Sequence, residues 1–249
     1  MHKFFADSGR ISEDRILLEG PDVNHIRQVL RLGPGEEVLI NDGQNARFRC
    51  IIEAIEKDRV SCRILERLEA DTELPLQVTL FQGLPKQEKM ELVIQKAVEL
   101  GAHTIVPVRM RRSVVKLDEK SGAKKRERWQ KIAEAAAKQS GRSVVPVVEE
   151  PMDFSRALEL AGRLDLLLVP YENAEGMEHT RKVLEGSREA KSLGIFIGPE
   201  GGYDDREVEA LGALEHAETI TLGRRILRTE TAGMALLAML LYIHEQDDG

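Results

Sequence analysis

A glycine-rich pentapeptide at the end of an apolar run is the first candidate for chemistry. Gly198-Pro199-Glu200-Gly201-Gly202 directly follows Ile195-Phe196-Ile197. Glycines at a strand end let backbone amides and carbonyls approach a flat ligand closely, which suits the recognition of an adenine. A tight strand-to-helix turn in which Pro199 fixes φ is the alternative. The pentapeptide matches neither the Gly-x-Gly-x-x-Gly pattern nor a Walker loop, so a site built on phosphate contacts is disfavoured.

A second candidate is a loop that concentrates positive charge. Arg224, Arg225 and Arg228 precede Glu230, all within seven residues. Thr229 is predicted to cap the apolar helix that follows, with Glu230 in its first turn, where a carboxylate suits the helix dipole. The arginines would repel one another unless an anion or a carboxylate lies among them. We therefore favour a functional role for this loop.

Alternating strands and helices are predicted to position both loops. After Pro75, apolar runs of strand length alternate with helical patterns, which indicates an α/β fold with a mostly parallel sheet covered on both faces. The predicted strands are Leu76–Gln82, Thr104–Val108, Val144–Val148, Asp165–Pro170, Gly194–Gly198 and Glu218–Leu222. The predicted helices cover residues 86–101, 126–141, 153–162, 176–191, 204–216 and 229–245. Because such sheets bind ligands beyond the carboxyl ends of their strands, the loops after the last three strands are expected to form the site.

The first part of the chain has a different texture. Short strands are predicted at Glu37–Asn41, Arg47–Ile55 and Arg59–Leu65, with one helix at Val23–Leu30. This pattern predicts a small β-rich domain over residues 1–73. Ala70–Pro75 is the predicted linker to a second domain over residues 74–249.

The cysteines and the hydropathy suggest a cytoplasmic protein. A hairpin turn near Lys57 would place Glu53 opposite Cys62, so Cys50 and Cys62 are not expected to form a disulfide. Two cysteines without clustered histidines also argue against a metal site. The N-terminus lacks the long apolar core of a signal peptide, and no run of eighteen or more apolar residues occurs. We therefore expect no membrane association and no metal.

Charge is distributed unevenly along the chain. The formal net charge is −7, but residues 86–142 carry 15 Lys and Arg against 7 Asp and Glu. A basic segment between acidic flanks is typical of a surface that binds a polyanion such as RNA, although a solvated helix face would also explain it. Lys124 and Lys125, at the predicted start of a helix, oppose the helix dipole, which hints at an anionic partner. Trp129 is predicted to be a packing anchor rather than a base-stacking platform.

The final helix is apolar nearly all round. Between Thr231 and Ile243 most residues are Ala, Met or Leu. A helix that is apolar on every face is predicted to be buried. It could belong wholly to the core, or to the core and a subunit interface, and we favour the second because a terminal helix rarely finds protein on all sides within one domain.

These motifs together resemble a known family. Gly198–Gly202 combined with Leu222–Ala232 closely resembles the 16S ribosomal RNA uridine N3-methyltransferases, named ribosomal RNA small subunit methyltransferase E, of the SPOUT superfamily. The segments His25–Arg31, Gln95–Gly101 and Arg128–Arg142 are similar to further blocks of that family. The resemblance covers essentially the whole chain.

The resemblance implies a fold, a reaction and partners. It implies a PUA-like RNA-binding N-terminal domain and a parallel-sheet SPOUT domain with a C-terminal trefoil knot. Members are homodimers that use S-adenosylmethionine and methylate N3 of a decoding-centre uridine near the 3′ end of 16S rRNA, which we expect in the assembled 30S subunit. The stretch Val169-Pro170-Tyr171-Glu172 departs most from the family pattern.

The resemblance and the charges together give a set of site residues. The predicted cofactor contacts are Leu168, Val169, Pro170, Ile197, Gly198, Pro199, Glu200, Gly201, Gly202, Leu222, Gly223, Ile226 and Leu227. Arg228 is predicted to stabilise the uracil anion, and either Glu200 or Glu230 to take the N3 proton if its pKa is raised. The predicted RNA contacts are Arg27, Arg31, Lys86, Lys89, Arg109, Arg111, Arg112 and Arg142.

Three other functions compete with this interpretation. A related SPOUT enzyme would methylate a ribose 2′-hydroxyl. A non-catalytic ribosome-assembly factor would keep the fold and bind RNA without S-adenosylmethionine. A flavodoxin-like phosphate-binding protein is disfavoured by the acidic residues near the glycines.

Overall fold

The chain forms two compact units. The computed structural model describes residues 1–69, 72–86, 89–115, 118–172, 174 and 176–245. One unit comprises Met1–Glu73 with Ala137–Val145, and the other comprises Leu74–Ala136 with the chain from Pro146 onward. The sequence-based division at residue 73 left Ala137–Val145 with the second domain, so the structure differs there.

The first unit is built on one five-stranded sheet. Its strand order is β1-β3-β4-β5-β2, with bounds β1 His2–Phe5, β2 Arg15–Glu19, β3 Glu37–Asn41, β4 Arg47–Ile55 and β5 Arg59–Leu68. The short helix α1 (Pro21–Asn24) continues into a π-helical turn at His25–Leu30, which ends at Arg31 with φ 55°. The three predicted strands are confirmed, with β5 extending to Leu68, whereas β1 and β2 were not predicted.

The two cysteines lie in the β4–β5 hairpin. Ile52, not Glu53, faces Cys62, because a bulge between Ile52 and Ala54 shifts the register that we predicted. Cys50 and Cys62 are nevertheless free and buried. Burial in this apolar core raises the pKa of each thiol to about 12.

Hydrogen bonds explain why Ala137–Val145 belongs to the first unit. The Asn41 side-chain amide donates to the Arg142 carbonyl at 2.9 Å, and the Val145 amide donates to the Gly43 carbonyl at 3.1 Å. The buried Arg142 guanidinium forms a salt bridge with Glu73. Sequence periodicity cannot reveal pairings between residues so far apart in the chain.

The second unit contains a seven-stranded parallel sheet, as the alternating pattern predicted. The strand order is β12-β10-β11-β6-β7-β8, with β9 also paired to β7. The strands are β6 Gln77–Gly83, β7 Thr104–Arg109, β8 Val147–Val148, β9 Met152–Asp153, β10 Leu166–Pro170, β11 Ser192–Ile197 and β12 Ala217–Ile220. The helices are α2 Lys89–Glu99, α3 Glu119–Ser140, α4 Phe154–Ala161, α5 Met177–Gly186, α6 Asp205–Gly212 and α7 Thr229–His244. Phe81 of β6 stacks on Phe196 of β11 in the core, with ring centroids 5.2 Å apart.

The predicted start of one helix was wrong. Helix α3 begins at Glu119, and the Asp118 carboxylate accepts a hydrogen bond of 2.8 Å from the Ser121 amide. Lys124 and Lys125 therefore lie beyond the first turn, where the unfavourable interaction with the helix dipole that we predicted does not arise. Within this chain helix α7 is buried on one face, and Tyr242 on its other face is 87% exposed, so the subunit interface favoured for that face stays a prediction. Trp129 is buried within α3, as predicted for a packing anchor.

Candidate active site at the carboxyl ends of three strands

The three loops that the sequence singled out leave one edge of the sheet. Strand β10 pairs in parallel with β11 on one side and β12 on the other, with Leu168 beside Ile195 and Pro170 beside Ile220. Parallel pairing places all three carboxyl ends on the same side. The loops after Pro170, Ile197 and Ile220 therefore start next to one another.

The loop after β11 is a tight turn packed against a neighbouring loop. The Gly202 amide donates to the Pro199 carbonyl at 2.9 Å, and Gly202 has φ +69°, a conformation that favours glycine. A Cβ on Gly201 would lie 3.0 Å from Cβ and 3.1 Å from the carbonyl oxygen of Arg112. The turn alternative thus explains Gly201 and Gly202 structurally, and the main chain of this loop is held in place by its surroundings.

A buried neutral link joins this loop to the start of α7. The Thr229 hydroxyl donates to the Gly198 carbonyl at 2.6 Å and accepts from the Gln82 side-chain amide at 2.8 Å. Thr229 is therefore not the helix cap that we predicted; Arg228 occupies that position without a side-chain capping bond. Gln82 was not predicted at all, and its Oε1 has no hydrogen-bond partner among the described residues.

A charged link lies beside the neutral one. Nζ of Lys89, in the first turn of α2, lies 3.2 Å from Glu200 Oε1 and 3.3 Å from Glu230 Oε2. The Glu200 carboxylate also accepts from the Lys86 amide at 3.0 Å. We predicted Lys89 as an RNA contact, but the structure directs its ammonium at the two candidate bases.

These contacts set the pKa values in the charged link. Partial burial alone would raise the pKa of Glu200, but hydrogen bonds from the Lys86 amide, its own backbone amide and Lys89 outweigh it and lower the pKa. Hydrogen bonding to Glu200, and then to Glu230, raises the pKa of Lys89 against the opposing effect of desolvation. The raised pKa that we required of a base is therefore not found at Glu200.

The loop after β12 is held at its beginning and open beyond it. The Thr180 hydroxyl donates to the Thr221 carbonyl at 2.9 Å and accepts from its amide at 3.1 Å. Gly223 has φ +107°, and no atom lies within 4 Å of a Cβ built there. Farther along, Ile226 is 87% exposed. Within the described residues, no carboxylate forms a salt bridge with the exposed arginines of this loop, Arg224, Arg225 and Arg228.

The predicted RNA contacts of the second unit differ in availability. The Arg109 guanidinium donates to Asp153 at 2.8 Å and to the Pro151 carbonyl at 2.7 Å. Arg111 and Arg112 are exposed on the next loop, where the Arg111 guanidinium lies 3.4 Å from Asp204. Lys86 is exposed.

Of the predicted RNA contacts in the first unit, two are exposed and one is buried. Arg27 and Arg31 are exposed, and Arg27 donates to the Lys57 carbonyl at 3.2 Å. Arg142 is only 4% exposed and pairs with Glu73. Its role is therefore structural, and we withdraw it as an RNA contact.

The site suits a ligand held by main-chain atoms. No atom lies within 4 Å of a Cβ built on Gly202 or on Gly223, so both loops have open space beside the backbone. A nucleoside ligand can approach the main chain closely at such positions. Among the described residues, no three His, Cys, Asp or Glu side chains are grouped to hold a metal ion. No helix in the described ranges has both the length and the apolar character required to cross a bilayer.

Comparisons with known protein families match both parts of the chain to RNA methyltransferase domains. The sequence model of a family described as RNA methyltransferase domain matches residues 72–241, and that of a family described as RNA methyltransferase PUA domain matches residues 18–65. The second match confirms the prediction of a PUA-like N-terminal domain.

Individual relatives are similar over almost their full length. Ribosomal RNA small subunit methyltransferase E of Bacillus subtilis (strain 168) is 39% identical over 228 residues, covering 90% of this chain and 89% of that protein. A structure of ribosomal RNA small subunit methyltransferase E from Neisseria gonorrhoeae bound to S-adenosyl methionine has a TM-score of 0.82 and 30% identity, covering 98% of both chains. A Legionella pneumophila methyltransferase in complex with the cofactor SAM has a TM-score of 0.79 and 31% identity, covering 96% of both.

Proposed function

Because the chain belongs to the ribosomal RNA small subunit methyltransferase E family, we propose that it uses S-adenosylmethionine to methylate N3 of a uridine in 16S rRNA. The substrate is a decoding-centre uridine near the 3′ end of that RNA, in the assembled 30S subunit in the cytoplasm. The observation that carries the proposal is the meeting of a glycine-bearing loop and an arginine- and glutamate-bearing loop at one sheet edge. The two loops are joined there through Thr229 and Lys89.

The cofactor residues proposed from the sequence lie on the three adjacent strand ends. S-adenosylmethionine, when bound, supplies an electrophilic sulfonium methyl group. The chain holds the nucleoside chiefly through backbone atoms, since the glycines leave the main chain accessible. The residues proposed for this role are Leu168, Val169, Pro170, Ile197, Gly198, Pro199, Glu200, Gly201, Gly202, Leu222, Gly223, Ile226 and Leu227.

The chain's own residues prepare the uracil. N3 becomes nucleophilic only after its proton leaves, so the site must remove a proton and stabilise the resulting anion. We assign the base to Glu230, whose carboxylate is bound by Lys89 alone among the hydrogen bonds of the described residues. Glu200 is engaged by the Lys86 amide as well, and its pKa is lowered, which disfavours it as a base. Arg228, exposed directly before α7, stabilises the anion electrostatically.

Exposed cations are proposed to contact the phosphates. The proposed phosphate contacts are all exposed; they are Arg27, Arg31, Lys86, Arg111 and Arg112. Lys89 and Arg109 leave the set because each is partly buried as well as held by carboxylates, whereas Arg111 and Arg112 pair with carboxylates but remain exposed. Phosphate contacts of this kind make affinity strongly salt-dependent.

A groove between α5 and α7 supports homodimer formation. It has a volume of about 590 Å³ and combines the charged Arg181, Glu185 and Arg188 with an apolar part formed by Met177, Leu184, Ala238, Met239, Tyr242 and Ile243. An apolar helix face of this kind is typical of subunit interfaces. We propose that a second copy of the chain covers this face, and that the second unit carries the trefoil knot of its superfamily.

One experiment tests the reaction and its rivals. Purified protein is incubated with labelled S-adenosylmethionine and with unmethylated 30S particles or free 16S rRNA, and the product nucleoside is identified by mass spectrometry. We expect N3-methyluridine, with 30S particles as the better substrate. A 2′-O-methylated nucleoside would favour the related SPOUT activity. Absence of calorimetric binding of S-adenosylmethionine would favour the non-catalytic assembly factor.

A further inference from the structure

One side chain lies between the two candidate bases. Lys89 reaches from the first turn of α2 to Glu200 in the loop after β11 and to Glu230 in the first turn of α7, at 3.2 and 3.3 Å. The side chains are 26% exposed for Lys89, 24% for Glu200 and 14% for Glu230. This is a partly buried cluster of two anions and one cation, contributed by three separate elements.

The cluster would be unfavourable without its cation. Two carboxylates that share one ammonium are close to each other, and like charges at short range disfavour the ionised form of both. Partial burial weakens solvent screening, so the repulsion would be felt more than at the surface. Lys89 therefore offsets this repulsion and ties both carboxylates to the start of α2.

We propose that Lys89 is a positioning residue for methyl transfer, which holds Glu230 in place for proton removal and fixes the loop after β11, through Glu200, against the start of α7. This inference rests on the proposed function, because it takes Glu230 as the base. Lys89 itself acts through the two carboxylates and touches neither the methyl donor nor the uracil. Thr229 reinforces the same join through Gly198, but without charge.

The chain offers a matched set of variants. Lys89→Met removes the charge and keeps the length of the side chain, whereas Lys89→Arg keeps the charge. Lys96→Met is the control, since Lys96 lies on the same helix and pairs with Glu99 of its own helix at 2.8 Å. For each variant we would measure kcat and KM against pH, the calorimetric affinity for S-adenosylmethionine, and the Tm.

We expect Lys89→Met to lower kcat about tenfold or more, because Glu230 is no longer held in place. The acidic limb of the plot of kcat against pH should move upward by about one pH unit, because a lost opposite charge raises carboxylate pKa values by this order. Its affinity for S-adenosylmethionine should fall several-fold, since the glycine-bearing loop loses a tether. Lys89→Arg should keep the wild-type limb and most of the rate, and Lys96→Met should match the wild type. A purely structural role would lower the Tm and leave the limb unmoved.

A second variant keeps the test valid if Lys89→Met folds poorly. Glu200→Gln added to Lys89→Met removes the like-charge pair. Compared with Lys89→Met alone, the Tm of the double variant should rise, and the acidic limb of its kcat profile should move back toward that of the wild type. The proposal is overturned if the limb and the affinity of Lys89→Met equal those of Lys96→Met, or if Lys89→Arg is as impaired as Lys89→Met. Product analysis of the wild type is independent of these outcomes, so a different methylated atom would refute the proposed substrate without being mistaken for a failure of this inference.

Discussion

The loop after β11 and the loop after β12 leave the same edge of the sheet, yet they are held very differently. The first is fixed by a turn hydrogen bond, by the Arg112 backbone against Gly201, and by Thr229. The second is held at Thr221 and is then exposed through Arg224 to Arg228. A rigid loop suits the recognition of an invariant nucleoside, whereas an exposed cationic loop suits a large anionic partner that completes its contacts. The difference suggests a division of labour: the loop after β11 serves only to hold the methyl donor, whereas the loop after β12 contributes backbone to the donor site and presents Arg228 to the RNA base.

Arg228→Ala tests that division most strongly. If Arg228 stabilises the uracil anion, kcat should fall about 100-fold, the order expected for losing one electrostatic stabiliser. The affinity for S-adenosylmethionine, measured by calorimetry, should change little because truncating the exposed Arg228 side chain leaves the backbone atoms proposed to hold the donor in place. Arg225→Ala is the control, since Arg225 is exposed on the same loop. Equal losses of kcat in both variants would mean that the loop acts only by general attraction of RNA.

Thr229→Val breaks the neutral join between the rigid loop and α7. The variant keeps the shape of the side chain but leaves the buried Gly198 carbonyl and one Gln82 donor bond unmatched. We expect a loss of about 1.5 kcal/mol in the free energy of unfolding, measured with urea. Thr231→Val, exposed two residues along the same helix, should change stability much less. A similar loss in both variants would indicate an effect of valine on the helix instead.

The sequence predicted the sheet well and the side-chain partners poorly. Strand–helix alternation and the glycine and arginine motifs located the strand ends that meet, because burial and turn formation leave local periodic signals. Lys89 was instead assigned to RNA, and Thr229 to a helix cap, although each contacts residues more than 30 positions away. Gln82, which donates to Thr229, and Thr180, which holds the Thr221 backbone, carry no motif. Such pairings depend on tertiary packing, which local patterns do not encode.

Replacing a glycine by alanine should destabilise the two loops for different physical reasons. Alanine at position 201 would press its Cβ against Arg112 at 3.0 Å, costing about 1 kcal/mol and displacing the rigid loop. Alanine at position 223 has open space around its Cβ, but φ +107° imposes a cost of similar order on the backbone. Calorimetry with S-adenosylmethionine and urea unfolding would measure both effects.

Gly212→Ala is the control for these two variants. Gly212 ends α6 with no atom within 4 Å of a built Cβ and without a positive φ, so alanine should be tolerated. If Gly201→Ala is as stable as Gly212→Ala and binds S-adenosylmethionine equally well, the close approach of Arg112 does not constrain the loop.

The smallest expected effect concerns pH and the charged side of the rigid loop. The pKa of Glu200 is lowered in the folded protein, so its contribution to stability is fully present above the unfolded value, about pH 4.3, and is lost as the pH falls through the folded value. We expect the loss to be under about 1 kcal/mol, since the carboxylate is partly solvated. Glu200→Gln should flatten the urea stability curve over that acidic range, whereas Glu209→Gln, exposed on α6, should leave it unchanged. If the free energy of unfolding of Glu200→Gln depends on pH as that of the wild type does, Lys86 and Lys89 hold this carboxylate too loosely to keep the loop rigid. The contrast with the loop after β12 would then rest on Thr229 and the glycine packing alone.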